Sequence, residues 1–342
     1  MSHFTEKDRL LSVLRKERVD RPPVICTGGM MNAAIVDVMR DTGLTLPAGH
    51  SDPQLMASLA EAIHRRTGFE NIGLPFCMTI EAELLGSTVD LGTLACEPKI
   101  ALEPFATSSV VEYREIVPLV RSGRAAVVTQ AAKLVTTRNP GVPVIASLTG
   151  PVSTAASVVQ PLAFYKDMRK DPTAAHRVLD YVTNFLVEFA TVLVREGGVT
   201  AVMIGDPSAT GEILGPAMFG AFAVPYLNRL ADAIRAIGVP PILHICGNLK
   251  RVDHLVTQLR FAALSTDAMI NLAALKREHP GLVTMGNLST YALEFTDTEK
   301  IRRMTRQLVE SGIDILSPAC GLSTSTKLEA IRAFTDTVRD RN

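Results

Sequence analysis

Residues 241–248 read Pro-Ile-Leu-His-Ile-Cys-Gly-Asn, an apolar run that ends in side chains able to bind metals. A run this short, closed by a glycine, is typical of a buried strand. Further apolar runs recur along the chain, at 142–148, 199–206, 262–267, 282–287 and 313–318. The intervals between these runs leave room for a helix between each predicted strand and the next.

The stretches between the predicted strands show helical periodicity. Within 171–195 the large apolar residues recur at helical spacing, at Val178, Val182, Phe185 and Phe189. Helices are also predicted at 226–237, 249–259, 270–278, 299–311 and 327–339. Because strands and helices alternate and no strands follow one another directly, we expect an α/β protein with a parallel sheet.

Two earlier strands, predicted at 23–27 and 71–75, bring the total to about eight, the number in a TIM barrel. We therefore expect a single TIM-type (β/α)8 barrel over residues 1–342, with an N-terminal helical extension and insertions. An open doubly wound sheet is the alternative, but the chain lacks the glycine-rich phosphate loop that such sheets commonly carry. Residues 85–140 are the least regular, and we expect an insertion with short helices of its own there.

The composition limits the classes of function. Hydrophobic residues make up 47% of the 342 positions and charged residues 20%, which is typical of a protein with a substantial core. Lys plus Arg and Asp plus Glu are both 35, so the formal net charge is zero. A protein without basic excess is not expected to bind nucleic acid or to carry a polybasic membrane-binding segment.

The chain shows no targeting or membrane signal. No apolar run approaches the roughly 20 residues that span a bilayer, and the charged start lacks the apolar core of a signal peptide. Five cysteines, an odd number, indicate thiols or metal ligands rather than a disulfide framework. We therefore expect a cytoplasmic protein, and the sequence leaves open whether it forms a homo-oligomer.

His244, Cys246 and Cys320 form the candidate metal site. His244 and Cys246 are two residues apart on a predicted strand, so their side chains point to the same face. Cys320 follows a later strand, and the carboxyl ends of barrel strands meet at one rim. One imidazole and two thiolates suit zinc, and three protein ligands leave the open position of a catalytic site. The alternative is that buried cysteines act as small hydrophobic residues, which we expect of Cys26, Cys77 and Cys96.

Other polar side chains also end predicted strands at this rim. Asp206 and Asp267 are candidates for orienting the zinc ligands, as carboxylates beside metal sites commonly do. The alternative for both is a structural role, in which they bind backbone amides at the rim. Asn287 is a candidate cofactor-binding residue. Glu81 and Glu83 are typical of a helix start, with an oxygen of Glu83 as a less favoured zinc ligand.

Residues 244–248, His-Ile-Cys-Gly-Asn, together with residues 317–321, Ser-Pro-Ala-Cys-Gly, resemble the metal motif of the methylcobamide:coenzyme M methyltransferases. These enzymes belong to the uroporphyrinogen decarboxylase superfamily. Weaker likeness extends over nearly the whole chain, at 6–11, 19–24, 75–83, 205–207 and 285–288. The arginine-rich stretch with which the decarboxylases grip substrate carboxylates is not matched, because no arginine occurs between Arg21 and Arg40.

The resemblance implies a TIM barrel with a catalytic zinc held by His244, Cys246 and Cys320. It implies transfer of a methyl group from a methylcobamide, a methylated corrinoid, to a thiol such as coenzyme M. Zinc coordination would deprotonate that thiol at neutral pH. The chain lacks the D-x-H-x-x-G cobalamin motif, so we expect a separate corrinoid protein as partner.

Coenzyme M carries a sulfonate, which needs hydrogen-bond donors near the metal. Ser323 and Thr324 are candidate cofactor-binding residues, because their hydroxyls and a following helix N-terminus would suit an anion. The alternative is a plain helix cap. Tetrahydrofolate as the methyl acceptor, a metal-free lyase related to the decarboxylases, and a non-catalytic barrel that binds a corrinoid protein all remain open at this stage.

Overall fold

The computed structural model describes residues 4–27 and 32–340. Eight strands occur in this part of the chain: β1 Ile72–Leu74, β2 Thr88–Asp90, β3 Lys99–Leu102, β4 Val144–Thr149, β5 Ala201–Gly205, β6 Pro241–Ile245, β7 Ala263–Thr266 and β8 Thr284–Met285. Six of them form one sheet in the order β1-β4-β5-β6-β7-β8. All neighbours in this sheet are parallel. The prediction of an α/β protein with a parallel sheet is confirmed.

Two further segments join this sheet through isolated bridges. Ile315 pairs with Met285, and Leu316 pairs with Val24, in both cases in the parallel sense. These contacts fall where strands were predicted at 313–318 and 23–27, but neither segment is a full strand. The expected eight-stranded barrel is therefore observed as six parallel strands, with the Ile315 segment bridged to β8 and the Val24 segment bridged to the Ile315 segment.

The apolar core has two parts. The larger part lies between the sheet and the surrounding helices. The smaller part contains alternate residues of successive strands and bridged segments, so it fills the concave side of the sheet, with Ile25, Ile145, Met203, Ile242, Ala263, Met285 and Ile315 among its members. Helix α1, Glu6–Leu14, contributes Leu10, Val13 and Leu14 to this inner core. Such an inner core is typical of a packed barrel interior rather than of an open sheet.

The longest helix is α9, Pro172–Arg195, which matches the helix predicted at 171–195. Its four large apolar residues at helical spacing are all buried. Asp171 begins the helix by accepting a hydrogen bond from the backbone N–H of Ala174, at 3.1 Å. The other helices are α2 Val36–Thr42, α3 Pro53–Thr67, α4 Ile80–Leu84, α5 Ile116–Leu119, α6 Gly123–Arg138, α7 Pro151–Val158, α8 Pro161–Lys170, α10 Gly215–Met218, α11 Val224–Ala236, α12 Asp253–Val256, α13 Leu272–Glu278, α14 Thr290–Phe295, α15 Thr298–Glu310 and α16 Leu328–Arg339.

Two parts of the chain differ from the prediction. Residues 85–140 contain an antiparallel pair, β2 and β3, and the 16-residue helix α6, rather than short helices only. Alanine and valine, instead of larger apolar residues, make up most of the buried face of α6, so its helical periodicity is weak in the sequence. The helix predicted at 249–259 is a 3₁₀ turn at Leu249–Arg251 followed by α12. No helix in the described ranges is long and apolar enough to cross a membrane.

The buried carboxylate of Glu70 holds the bridged segment at residues 23–27 against the sheet. Glu70, 1% exposed, accepts hydrogen bonds from Arg9 at 2.8 Å and from Arg21 at 2.7 and 2.8 Å. It also accepts from the backbone N–H of Val24, at 2.9 Å. The N–H of Glu70 in turn donates to the carbonyl of Val24. The position of the segment beside β1 therefore depends on this ion-pair cluster.

We predict that Glu70→Gln lowers the free energy of unfolding by about 3–5 kcal/mol, because two arginines would lose their buried counter-charge. Urea unfolding followed by far-UV circular dichroism measures this change. Asp20→Asn is the control: Asp20 also pairs with Arg9, but its side chain is 43% exposed, so its loss should cost about 1 kcal/mol or less. Equal effects of the two substitutions would show that Glu70 has no special role.

Candidate metal centre

The three predicted metal ligands come together at the carboxyl ends of the strands. His244 lies on β6, two residues after Ile242 of the inner core, so its side chain points to the same concave side. Cys246 follows β6 directly, and Cys320 follows the bridged segment that contains Ile315. The Nε2 atom of His244 lies 3.2 Å from Cys246 Sγ, which lies 3.5 Å from Cys320 Sγ. All three donor atoms lie within 4.8 Å of one another.

The electrostatics of the two thiols fit a bound cation. Their shared hydrogen bond is the largest cause of both shifts: it lowers the pKa of Cys320 to about 4 and raises the pKa of Cys246 above its ordinary value. The pair therefore takes one negative charge readily, while a second is opposed by the first and by burial. A soft divalent cation between the sulfurs would allow both to ionise. The donor set, one nitrogen and two sulfurs, is the type that binds zinc.

Ser265 is a contact of the site that the sequence reasoning missed. Its Oγ lies 2.9 Å from Nδ1 of His244, the ring nitrogen that faces away from the two cysteines. Ser265 lies on β7 directly opposite His244 in the parallel register. The sequence contained the signal, because Ser265 is the third residue from the end of the predicted strand run 262–267, and a polar residue there lies close to the rim. A serine at a strand end is a weaker indication of a metal site than an aspartate, because serine is also common in structural hydrogen bonds.

Asp206, a predicted orienting residue, follows β5 and is fully buried. Its carboxylate accepts hydrogen bonds from the backbone N–H groups of Val152 and Ser153 and from the Ser153 hydroxyl, at 2.6–3.0 Å. It therefore caps the start of α7, and a Cβ at Gly150 would come within 2.4 Å of it. Burial outweighs these hydrogen bonds and raises the pKa of Asp206 to about 6. The contact of Asp206 with a predicted metal ligand is made by its backbone, because the Asp206 N–H donates a hydrogen bond to the carbonyl of His244 at 3.2 Å.

Asp267 and Asn287 are linked to each other. The Asp267 carboxylate accepts a hydrogen bond from the N–H of Met269 at 3.2 Å, in the turn after β7. Nδ2 of Asn287 donates to the backbone carbonyls of Asp267 and Ile270, each at 2.8 Å. Both donor positions of this amide are thus used to join two loops of the rim. Within residues 4–27 and 32–340, neither Asp206 nor Asp267 has a recorded side-chain hydrogen bond to His244, Cys246 or Cys320.

Ser323 and Thr324 lie in the loop that follows Cys320. Helix α16 begins at Leu328, close to the predicted start at 327, and its N-cap residue is Lys327. The alternative of a plain helix cap is therefore wrong for Ser323 and Thr324. The Ser323 hydroxyl donates to Glu294 at 3.1 Å, and the Thr324 hydroxyl donates to the carbonyl of Ala95 at 2.8 Å. A sulfonate beside Ser323 would therefore face the carboxylate of Glu294, which disfavours this loop as the anion site.

The remaining candidates lie outside the cluster of donor atoms. Cys77 accepts a hydrogen bond from Arg124 at 3.1 Å, and Cys96 is exposed in the loop between β2 and β3. Glu83 also pairs with Arg124. The buried carboxylate of Glu81 accepts hydrogen bonds from the backbone N–H and the hydroxyl of Thr149, at 2.8 and 3.0 Å. Burial raises the pKa of this carboxyl. Within the described residues, these carboxylates and thiols are not grouped with His244, Cys246 and Cys320 as potential ligands.

A curved parallel sheet with an imidazole and two thiols at its carboxyl edge defines a barrel-like α/β protein with a candidate soft-metal centre. The chain belongs to the uroporphyrinogen decarboxylase (URO-D) family, whose profile matches residues 5–341. This confirms the superfamily that the motifs indicated.

Individual relatives are similar over almost the full length. The chain is 31% identical to the methylcobamide:CoM methyltransferase MtaA of Methanosarcina barkeri, over 98% of this chain and 97% of the relative. It is 29% identical to the methylcobamide:CoM methyltransferase MtbA of Methanosarcina acetivorans, over 95% of each chain. Among solved structures, a methyltransferase from Methanosarcina mazei superposes with a TM-score of 0.92, at 29% identity and 99% coverage of both chains. The resemblance inferred from the metal motif is confirmed.

The raised pKa of Asp206 predicts a dependence of stability on pH. Between pH 3.8 and about 6 the folded protein retains a proton that the unfolded chain releases. The contribution of Asp206 to the free energy of unfolding should therefore fall as the pH rises through this window, by on the order of 3 kcal/mol. Urea unfolding of chelator-treated wild type and Asp206→Asn at several pH values measures it, and parallel curves for the two proteins would contradict it.

Proposed function

We propose that this protein transfers a methyl group from a methylated corrinoid to a small thiol, with coenzyme M as the first candidate. The observation that carries the proposal is the cluster of His244, Cys246 and Cys320 at the carboxyl edge of the sheet. The nearly full-length similarity to methylcobamide:CoM methyltransferases supports the same reaction. Methyl transfer breaks the cobalt–carbon bond, forms a thioether and leaves the corrinoid as cob(I)alamin, so no external oxidant or reductant is needed.

We propose that zinc is the metal and that the same three residues hold it. When bound, zinc supplies the Lewis acidity that keeps a thiol substrate deprotonated at neutral pH. Cys246 and Cys320 provide sulfur donors and the negative charge that balances the ion. His244 provides Nε2, the ring nitrogen that lies beside Cys246 Sγ. Three protein donors would leave one position for the substrate sulfur.

We propose that the sheet is a closed (β/α)8 barrel, whose mouth gives access to this site. The bridges of Leu316 to Val24 and of Ile315 to Met285 support closure, as does the hydrogen bond from Glu70 N–H to Val24. The apolar core on the concave side supports it as well. In such a barrel the inner core closes the base, so substrates reach the three donor atoms only from the rim.

The roles proposed for the rim residues follow from their contacts. Asp206 acts through the backbone, since its N–H holds the carbonyl of His244 and its carboxylate fixes the start of α7. Asp267 and Asn287 join the loops after β7 and β8, so we propose that they shape the rim rather than touch the metal. Ser323 and Thr324 remain candidates for contacts with neutral groups of the incoming substrate, because the carboxylate of Glu294 beside Ser323 disfavours an anionic group there.

The proposed partner is a separate protein that carries the corrinoid, because this chain has no cobalamin motif of its own. We propose that the protein acts in the cytoplasm. Tetrahydrofolate in place of a thiol is the second candidate acceptor. A decarboxylase-like reaction is disfavoured, because Arg9 and Arg21, the arginines next to the first bridged segment, are paired with Glu70. These two guanidinium groups are thereby held away from substrate carboxylates.

We predict about one tightly bound zinc per chain, a stoichiometry typical of such three-ligand sites. In Cys246→Ala and Cys320→Ala, zinc affinity should fall by at least about 100-fold, because a direct ligand matters more than an orienting contact. Chelator competition and elemental analysis measure the affinity and the stoichiometry. The matched control is Cys96→Ala, which removes an exposed thiol and should keep full zinc. Retention of full zinc by both ligand variants would refute the assignment.

We predict thiol-dependent demethylation of free methylcobalamin, followed by its visible spectrum. The zinc-loaded protein should accelerate the reaction over the thiol alone, and Cys320→Ala should reduce the rate to that background, because the thiol would lose its activation. Coenzyme M, other thiols and tetrahydrofolate form the acceptor panel. Acceleration with tetrahydrofolate alone would replace the proposed acceptor, and no acceleration with any acceptor would favour a non-catalytic barrel.

A further inference from the structure

We infer that Ser265 is the positioning residue that holds the His244 ring ready for the metal, through a hydrogen bond at Nδ1. This inference rests on the proposed function, since it concerns how the zinc ligands are oriented. Ser265 and His244 are directly opposite each other on β7 and β6. Parallel neighbours lie about 4.8 Å apart and point their side chains to the same face, so these two side chains meet inside the sheet.

Both side chains are buried, with 3% of His244 and 2% of Ser265 exposed. The separation of 2.9 Å between Ser265 Oγ and His244 Nδ1 is a normal hydrogen-bond length. Because solvent does not reach this contact, water cannot readily replace the serine as partner of the ring. The orientation of the imidazole therefore depends on this hydroxyl.

The contact also holds the ring with Nε2 towards the proposed metal position. A neutral imidazole has one N–H donor and one acceptor nitrogen, and a metal takes the acceptor. Nε2 lies beside Cys246 Sγ, so Nε2 must be the acceptor when the metal is present and Nδ1 must carry the proton. In that tautomer Ser265 Oγ can accept the hydrogen bond from Nδ1–H, so the contact stays satisfied while Nε2 faces the metal.

The carboxylates at the rim do not supply this contact. The Asp206 carboxylate is occupied by the start of α7, and the Asp267 carboxylate by the N–H of Met269. Many metal-binding histidines donate to a carboxylate, but here the partner is a neutral hydroxyl. Two cysteine thiolates already balance the charge of a zinc ion, and a hydroxyl orients His244 without adding a third negative charge.

The test compares four proteins: wild type, Ser265→Ala, Ser265→Thr and Thr266→Val. Thr266 is the matched control, because it is the next residue on β7, is fully buried and has an Oγ1 without a hydrogen-bond partner. Zinc affinity is measured by chelator competition, and thermal unfolding of the metal-free proteins checks that each is folded. This readout does not depend on catalytic activity.

We expect Ser265→Ala to bind zinc about 10–100-fold more weakly than wild type, as is typical when the partner of a ligating histidine is lost. Ser265→Thr keeps the hydroxyl and should bind zinc within about twofold of wild type. Thr266→Val should do the same. This pattern would separate a hydrogen-bonding role of Ser265 from a general effect of changing β7.

Two outcomes would overturn the inference while leaving the proposed function intact. One is wild-type zinc affinity in Ser265→Ala, and the other is a loss in Ser265→Ala that Ser265→Thr does not restore. Absence of zinc binding by wild type and Thr266→Val would overturn the proposed function, and the inference together with it. The experiment therefore distinguishes a failure of the serine assignment from a failure of the metal site.

Discussion

The constraint on which this structure depends is the in-register parallel pairing of β5, β6 and β7. Pairing without offset places alternate residues of each strand on the concave side. Two residues after Ile242 of the inner core, β6 therefore places His244 at the site. In the same way, β7 places Ser265 at the site two residues after Ala263 of the inner core. A single rule of strand geometry thus gives both an apolar base and a polar mouth. A shift of one residue in either strand would send His244 or Ser265 to the opposite face.

The chemistry of the site follows from which groups this arrangement leaves unsatisfied. Asp206, Asp267 and Asn287 look like the functional residues of the rim, yet their side chains are engaged by backbone groups. The two thiols differ, because each is the other's hydrogen-bond partner at 3.5 Å and they cannot both ionise cheaply without a cation. A cation between the sulfurs would relieve this repulsion, which supports the proposed metal site. In the proposed site, the polar residues at the rim would provide rigidity, and His244 and the two cysteines would hold the metal.

Much of the fold could be predicted from periodicity. The spacing of Val178, Val182, Phe185 and Phe189 identified α9, and the apolar run ending at His244 identified β6. The prediction was weaker where the pattern was weak. The alanine-rich face of α6 carries little amphipathic signal, and β2 and β3 form a small exposed pair within an irregular stretch. The segments around Val24 and Ile315 have strand-like sequences but make only isolated bridges.

Local sequence patterns were enough to predict the parallel α/β class, the family and the three candidate ligands, because residue types, motifs and spacing along a strand can be read from one segment at a time. The side chains that accompany these ligands became evident only in the folded chain. The contact between Ser265 and His244 joins residues on neighbouring strands, and the cap that Asp206 forms on α7 joins segments 54 residues apart. The hydrogen bond from the Ser323 hydroxyl to Glu294 also joins residues from separate segments. Hydrogen-bond partners across strands and loops depend on packing and register, which spacing along one chain segment does not encode.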